Sequence, residues 1–248
     1  IHNYCPIPGD LTRQEALPDC YSLSSLDHRE RKLALKYTKR SVDTAARLGA
    51  KVLVLHCGRV EMNDKTKKLI NLYAKDSKEC LEFKKIKSEF VLERFQKSKA
   101  FFTNALRSIE ELSKYAQKKG ISLGIENRFY YREIPDFEEL GVILKTFKGA
   151  NVFYWHDTGH ARVMQNLGFV SRGSLLKNYS GRLIGVHLHN TLGCRDHLAP
   201  FKGDLNFSDI KSCLSKNTIK IIEAHYPASA DEIVKSKSFL EKTFGDLN

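Results

Sequence analysis

Apolar residues gather in six short runs: Ile1–Cys5, Lys51–His56, Ile121–Glu126, Val152–Trp155, Leu183–His189 and Ile219–Glu223. Runs such as KVLVLH and ISLGIE lack the alternation of a strand with one wet face. Each is expected as a strand covered on both sides, as in a parallel sheet. Helical spacing fills the intervals. His28–Leu48 carries Leu33, Leu35, Val42, Ala45 and Leu48 and stops at Gly49, a natural terminator. Lys65–Lys119 is expected as one long helical stretch ending at Gly120. Pro135 and Asp136 open a helix over Phe137–Phe147, and the capping box Ser229-x-x-Glu232 opens one that runs to Phe244.

Strands alternating with helices predict an α/β fold with parallel pairing. No low-complexity linker interrupts the 248 residues, so 1–248 is expected as a single domain.

Composition changes this picture little. Hydrophobic residues make up 42% and charged residues 28%, ordinary for a globular domain. No apolar run reaches the ~20 residues that cross a bilayer. The six cysteines (Cys5, Cys20, Cys57, Cys80, Cys194, Cys213) form no C-x-x-C pair, which argues against a disulfide scaffold or a zinc ribbon and for a cytoplasmic setting. The net charge of +12 suits nucleic acid or phosphorylated substrates. Much of it lies between Lys65 and Lys99, where lysines mix with Asp76, Glu79, Glu82 and Glu89, the pattern of a solvated helix face. Nucleic acid is therefore the lesser expectation, and oligomeric state is left open, with a homo-oligomer compatible.

Chemistry enters at the ends of the strands. Each finishes on or beside a residue that can bind metal or move a proton: His2, His56, Glu126, Asp157, His187 and Glu223. In a parallel (β/α) barrel the active site is built at the carboxyl ends of the strands. One such residue is readily explained as a helix cap or a backbone partner. Six in succession are not.

Here the motifs resemble those of the xylose isomerase-like barrels. VLVLHCG resembles their "vvvHpG" strand and LGIENR their "lalEN" strand. WHDTGHA resembles "D-x-G-H-a", VHLHN resembles "hvHlhD", DHLAPFKGDLNF resembles the loop that follows, and IIEAHYPASADEIVKSKSFLEK resembles the closing strand and helix. The resemblance runs through the chain in order. It implies a (β/α)8 TIM barrel in which IHNYCP is the third strand, so that the first two strand–helix units are absent from this sequence. In that frame the Glu61–Lys87 stretch is expected as a helical excursion over the barrel mouth.

Position by position, the resemblance makes Glu126, Asp157, His187 and Glu223 the ligands of one divalent ion. Three carboxylates and an imidazole suit Mn²⁺, Mg²⁺ or Co²⁺ and accept Zn²⁺. Such an ion polarises a carbonyl and stabilises the enediolate left by α-proton removal, while Glu126 and Glu223 are the carboxylates expected to take and return the proton. The expected activity is that of a sugar or sugar-phosphate isomerase or epimerase acting on a small sugar or polyol. His2, His56, His160, His189, His197 and Arg128 are candidates for substrate contacts or further metal ligands. Arg128 and Lys202 are read first as solvent-exposed charges, Tyr130 and Tyr131 as packed aromatics, and Trp155 as packing beneath the site.

The rival within the same resemblance is an endonuclease IV-like, three-zinc enzyme acting on abasic DNA. His2, His56, His160 and His197 fall where its extra ligands stand, and the charge suits a DNA backbone. Arg195 occupies a position where that enzyme has a metal-binding Asp, with Asp196 adjacent. His189-Asn190 replaces its Asn-Asp. Sugar chemistry therefore ranks first. The sequence also departs from the sugar enzymes, with Phe201 where a glycine is usual and Asn206 for Asp.

Overall fold

The structure, a computed structural model, describes residues 1–9, 11–12, 14–16 and 20–245. It divides into two compact units, Ile1–Asp64 with Ser88–Phe153, and Lys65–Lys87 with Tyr154–Asn248. In chain order the elements are α1 (His28–Arg47), β1 (Val52–Leu55), α2 (Thr66–Ala74), α3 (Leu81–Gln117), β2 (Ser122–Glu126), α4 (Phe137–Thr146), β3 (Val152–Asp157), α5 (Thr158–Asn166), α6 (Ser174–Tyr179), β4 (Leu183–Leu188), β5 (Asn190–Leu192), β6 (Arg195–Leu198), α7 (Ser208–Lys211), β7 (Ile219–Ile222) and α8 (Ala230–Phe244).

In the first unit β1 and β2 pair in parallel, from Val52 opposite Ser122 to Leu55 opposite Ile125. All four residues of β1 are buried, which is why its sequence shows no polar alternation. The Leu123 amide donates to the Asn151 carbonyl, which sets the start of β3 beside β2. Asp27 caps α1 by accepting the Arg29 N–H at 2.7 Å, and α1 buries Ala34, Val42 and Ala45. The chain leaves α1 through Gly49 at φ 69°, the left-handed position that favours glycine.

The expected strand Ile1–Cys5 shrinks to a single parallel bridge between His2 and Val54. Tyr4 turns to φ 61° and ends the pairing, and Pro6 has no N–H to resume it. The expected long helical stretch Lys65–Lys119 is present as two helices, divided between Ala74 and Leu81 around Asp76 at φ 55°. Thr66–Ala74 thus becomes α2, inside the stretch expected to hold a helical excursion, and it belongs to the second unit. The long α3 is tied to α4 by Arg94. This buried guanidinium bonds Asp136 and Glu139, the two side chains of the α4 capping box, and the carbonyls of Tyr131 and Glu133.

In the second unit β3 pairs with β4 and β4 with β7, all in parallel. Gly185 on β4 leaves room for Trp155, since a Cβ there would lie 2.1 Å from the indole ring. Val186, Leu188, Phe207 and Leu240 form a core over which Ile222, Phe239 and Phe244 pack. The capping box of Ser229 and Glu232 starts α8 as expected. The antiparallel pair β5–β6 was not foreseen, because its residues are mostly polar.

Candidate metal centre

In the second unit, register brings the candidates together. Asp157, the last residue of β3, is the pairing partner of His187 on β4. Pairing of β7 with β4 continues one step past Ile222, where the Glu223 amide donates to the Leu188 carbonyl. Glu223 thereby reaches His187, with His187 Nδ1 2.9 Å from its carboxylate. The same nitrogen lies 3.6 Å from Asp157.

Asp157 is fully buried and serves several neighbours at once. It caps α5 by accepting the His160 N–H at 2.7 Å, and its oxygens lie 2.9 and 3.0 Å from His189 Nε2. Burial pushes the carboxyl up, but His160, His189 and the bonds from His187 and His189 outweigh it and hold the group well below the usual range. A carboxylate kept ionised in a dry site, with imidazoles turned toward it, is chemically ready for a cation.

His189 has both ring nitrogens engaged. Nδ1 accepts the backbone N–H of His197 at 2.9 Å, so Nε2 carries the proton that faces Asp157. Burial lowers its proton affinity and Asp157 more than restores it, yet the His197 N–H is satisfied only while Nδ1 is bare. His189 therefore orients Asp157, as a hydrogen-bond donor fixes the carboxylate of a metal site. Gly159 makes the fit, since a Cβ there would lie 2.1 Å from the His189 ring.

Beyond His189 the rings of His197 and His225 continue a stack, with centroids 4.1 and 3.8 Å apart. Asp196 bonds His197 Nδ1 at 2.9 Å; burial pushes the Asp196 carboxyl up, but His197, His160 and His189 together outweigh it and lower it. Arg195 is exposed. Sequence reasoning missed how Asp196 and His197 pair; the signal available was only their adjacency. Asp157, His160, His189 and His197 each offer a ligand atom within 4.8 Å of the others.

The first unit holds a second set. His2 Nδ1 lies 3.2 Å from His56 Nε2, which lies 2.8 Å from Glu126 Oε2. His2, His56 and Glu126 also meet the spacing of a metal group. Arg128, expected as a solvent-exposed charge, is buried instead. Its guanidinium bonds Glu126 and, at 3.1 Å, Glu133, whose other oxygen accepts the Tyr130 N–H at 2.9 Å. The two-residue spacing put Arg128 on the same face of the strand direction as Glu126, but Glu133 becomes its second partner only through the turn that follows. Tyr131 packs on Phe90 and Arg94, a structural role. Lys202 is exposed and pairs with Glu232, while Trp155 packs edge-on against His187. Gly203, the glycine that remains in the last loop, sits at φ 154° with its Cα against the Thr191 carbonyl, where a Cβ would clash at 2.2 Å.

The family described as xylose isomerase-like TIM barrel matches residues 4–243. The chain belongs to this family. Relatives in sequence include the uncharacterized proteins MJ1311 of Methanocaldococcus jannaschii (24% identical, over 91% of this chain and 67% of the relative) and y4fM of Sinorhizobium fredii (21%, over 84% and 57%). The chain thus spans between 57% and 67% of the length of these relatives. Among solved structures it resembles a D-tagatose 3-epimerase-like protein (TM-score 0.64, 22% identity, 92% of this chain and 74% of that one). It also resembles the IOLI protein with a binding zinc atom (0.64, 15%, 90% and 73%) and a D-psicose 3-epimerase with D-tagatose from Clostridium cellulolyticum H10 (0.61, 16%, 90% and 74%). These likenesses establish the expected TIM-barrel-like fold. Among the described residues no helix is long and apolar enough to cross a membrane.

Proposed function

We propose that this chain carries the metal and proton-transfer residues of a divalent-metal-dependent sugar or sugar-phosphate isomerase or epimerase, with Glu126, Asp157, His187 and Glu223 as ligands of one ion. The observation that carries the reading is the row Asp157–His187–Glu223 at adjacent strand ends of the second unit. Family membership and the match of LGIENR to the family's Glu-bearing strand support Glu126 as the fourth ligand. The donor set fits Mn²⁺, Mg²⁺, Co²⁺ or Zn²⁺. When bound, such an ion supplies positive charge that stabilises negative charge developing on substrate oxygens.

The protein's own residues divide the remaining work. His189 holds Asp157 in place through Nε2 and is itself fixed by the His197 amide. Arg128 and His56 fix the Glu126 carboxylate. Glu223 is a quarter exposed at its side chain, the most accessible of the three carboxylates, and is the one suited to accept the α-proton of a sugar. Two carboxylates able to hand a proton to opposite faces of one carbon would give epimerisation. The scattered cysteines, none in a disulfide, agree with a cytoplasmic enzyme.

The endonuclease IV-like reading has specific observations in its favour. They are the Asp196–His197 contact, which offers a carboxylate where Arg195 does not, and the His2–His56–Glu126 group. One experiment separates the two. Metal-loaded protein is incubated in D₂O with ketose sugars and, in parallel, with abasic duplex DNA. The expected result is deuterium at the carbon next to the carbonyl, its loss in Glu223→Gln with an unchanged circular dichroism spectrum, and intact DNA. Unchanged exchange in the variant would remove Glu223 from the chemistry; metal-dependent incision would replace the sugar reading by the nuclease one.

A further inference from the structure

We propose that the cavity between α5, α6 and the α7 segment is a second small-molecule site, one that takes an amphipathic organic anion: a carboxylate or phosphate monoester on a short hydrocarbon. Its walls all come from the second unit. The cavity encloses about 320 Å³, within the roughly 300–1,000 Å³ of small-ligand pockets. It is separate from the strand-end residues. His156 lines it, and neighbours on a strand point to opposite faces, so Asp157 faces away.

The lining has two characters. Leu175 and Leu176 of α6 line it together with Leu205 and Ile210, and these last two lean on the core of Val186, Leu188 and Phe207. That wall is greasy and firmly backed. The lining also carries three cations, Arg162, Arg172 and Lys177, against a single acid, Asp209. Asp209 is engaged by Arg172 at 3.0 Å. Arg162 lies 3.5 Å from Asp204, which also bonds Thr191 and the Gly193 N–H and does not line the cavity.

Three cations against one acid leave the lining with an excess of positive charge, which favours an anionic occupant. The planar fork of Arg matches a carboxylate or phosphate in particular. A bare inorganic ion would leave the leucines wet, and a neutral alcohol would leave the excess of positive charge uncompensated. Only an occupant with both parts satisfies both kinds of lining residue.

The test is calorimetric titration of the whole chain with hexanoate, hexyl phosphate, hexan-1-ol and inorganic phosphate, repeated with Arg162→Gln, Ile210→Trp and Glu223→Gln. We expect saturable binding of hexanoate or hexyl phosphate, and the tighter of the two identifies the head group. Hexanol and phosphate bind at least tenfold more weakly. Arg162→Gln weakens the preferred probe at least tenfold, Ile210→Trp fills the cavity and abolishes binding, and Glu223→Gln leaves it unchanged. No saturable binding, equal binding to the Arg162 and Ile210 variants with native spectra, or loss in Glu223→Gln would each overturn the proposal. This outcome is independent of deuterium exchange at the strand ends.

Discussion

Asp157 concentrates four obligations in one carboxylate: it ends β3, caps α5, anchors His189 and faces His187. Its folded pKa is depressed, so its contribution to stability is complete above the unfolded carboxyl value of ~4 and is lost as pH falls through the lower, folded value. Urea unfolding of metal-free protein should therefore show this contribution intact from pH 5 to 7 and lost only on strong acidification. In Asp157→Asn that acid-dependent portion should vanish; an unchanged pH profile would contradict the assigned interactions. Arg128 illustrates the converse, a buried cation between two acids. Arg128→Leu strands Glu126 and Glu133 and should cost about 3–5 kcal/mol in urea denaturation, whereas a loss under 1 kcal/mol would mean that water reaches these carboxylates. Asp157, His187 and Glu223, which lie side by side at the strand ends of the second unit, stood out in the sequence because each interrupts or closes an apolar run. The orienting role of His189 did not, since it depends on where the His197 amide falls in space. The burial of Arg128 depended likewise on Glu133, five residues away around a turn.

At the scale of elements, β1 to β4 were legible because both faces are largely covered and the helices where a cap or a glycine marks an end, whereas β7, expected as buried, is only half-covered, with Ile221 exposed. The α1, α4 and α8 boundaries fall within a residue or two of those expected from Gly49, Asp136 and Ser229. The failures have physical causes. Lysine-rich periodicity ran unbroken across Asp76, where a left-handed residue in fact ends α2, and the polar residues of β5 and β6 gave no strand period. Packing between strands also hides in single glycines. Gly185→Ala places a methyl 2.1 Å from Trp155 and should destabilise by about 1–3 kcal/mol. The fluorescence of this sole tryptophan should shift, because the ring must leave His187. An unaltered emission spectrum would show that the indole does not occupy that space.

For the molecule as a whole, family and fold were legible from the order of motifs rather than from any single one. The +12 charge, by contrast, discriminates little between an anionic sugar and a DNA backbone. What distinguishes them is how many metal ions the histidines and carboxylates hold. The decisive measurement is elemental analysis of the chain after loading with excess Mn²⁺ or Zn²⁺ and desalting. The account predicts about one ion per chain, with retention lost in both Asp157→Asn and Glu126→Gln. Three zinc ions per chain, no ion retained, or full retention in those variants would contradict it.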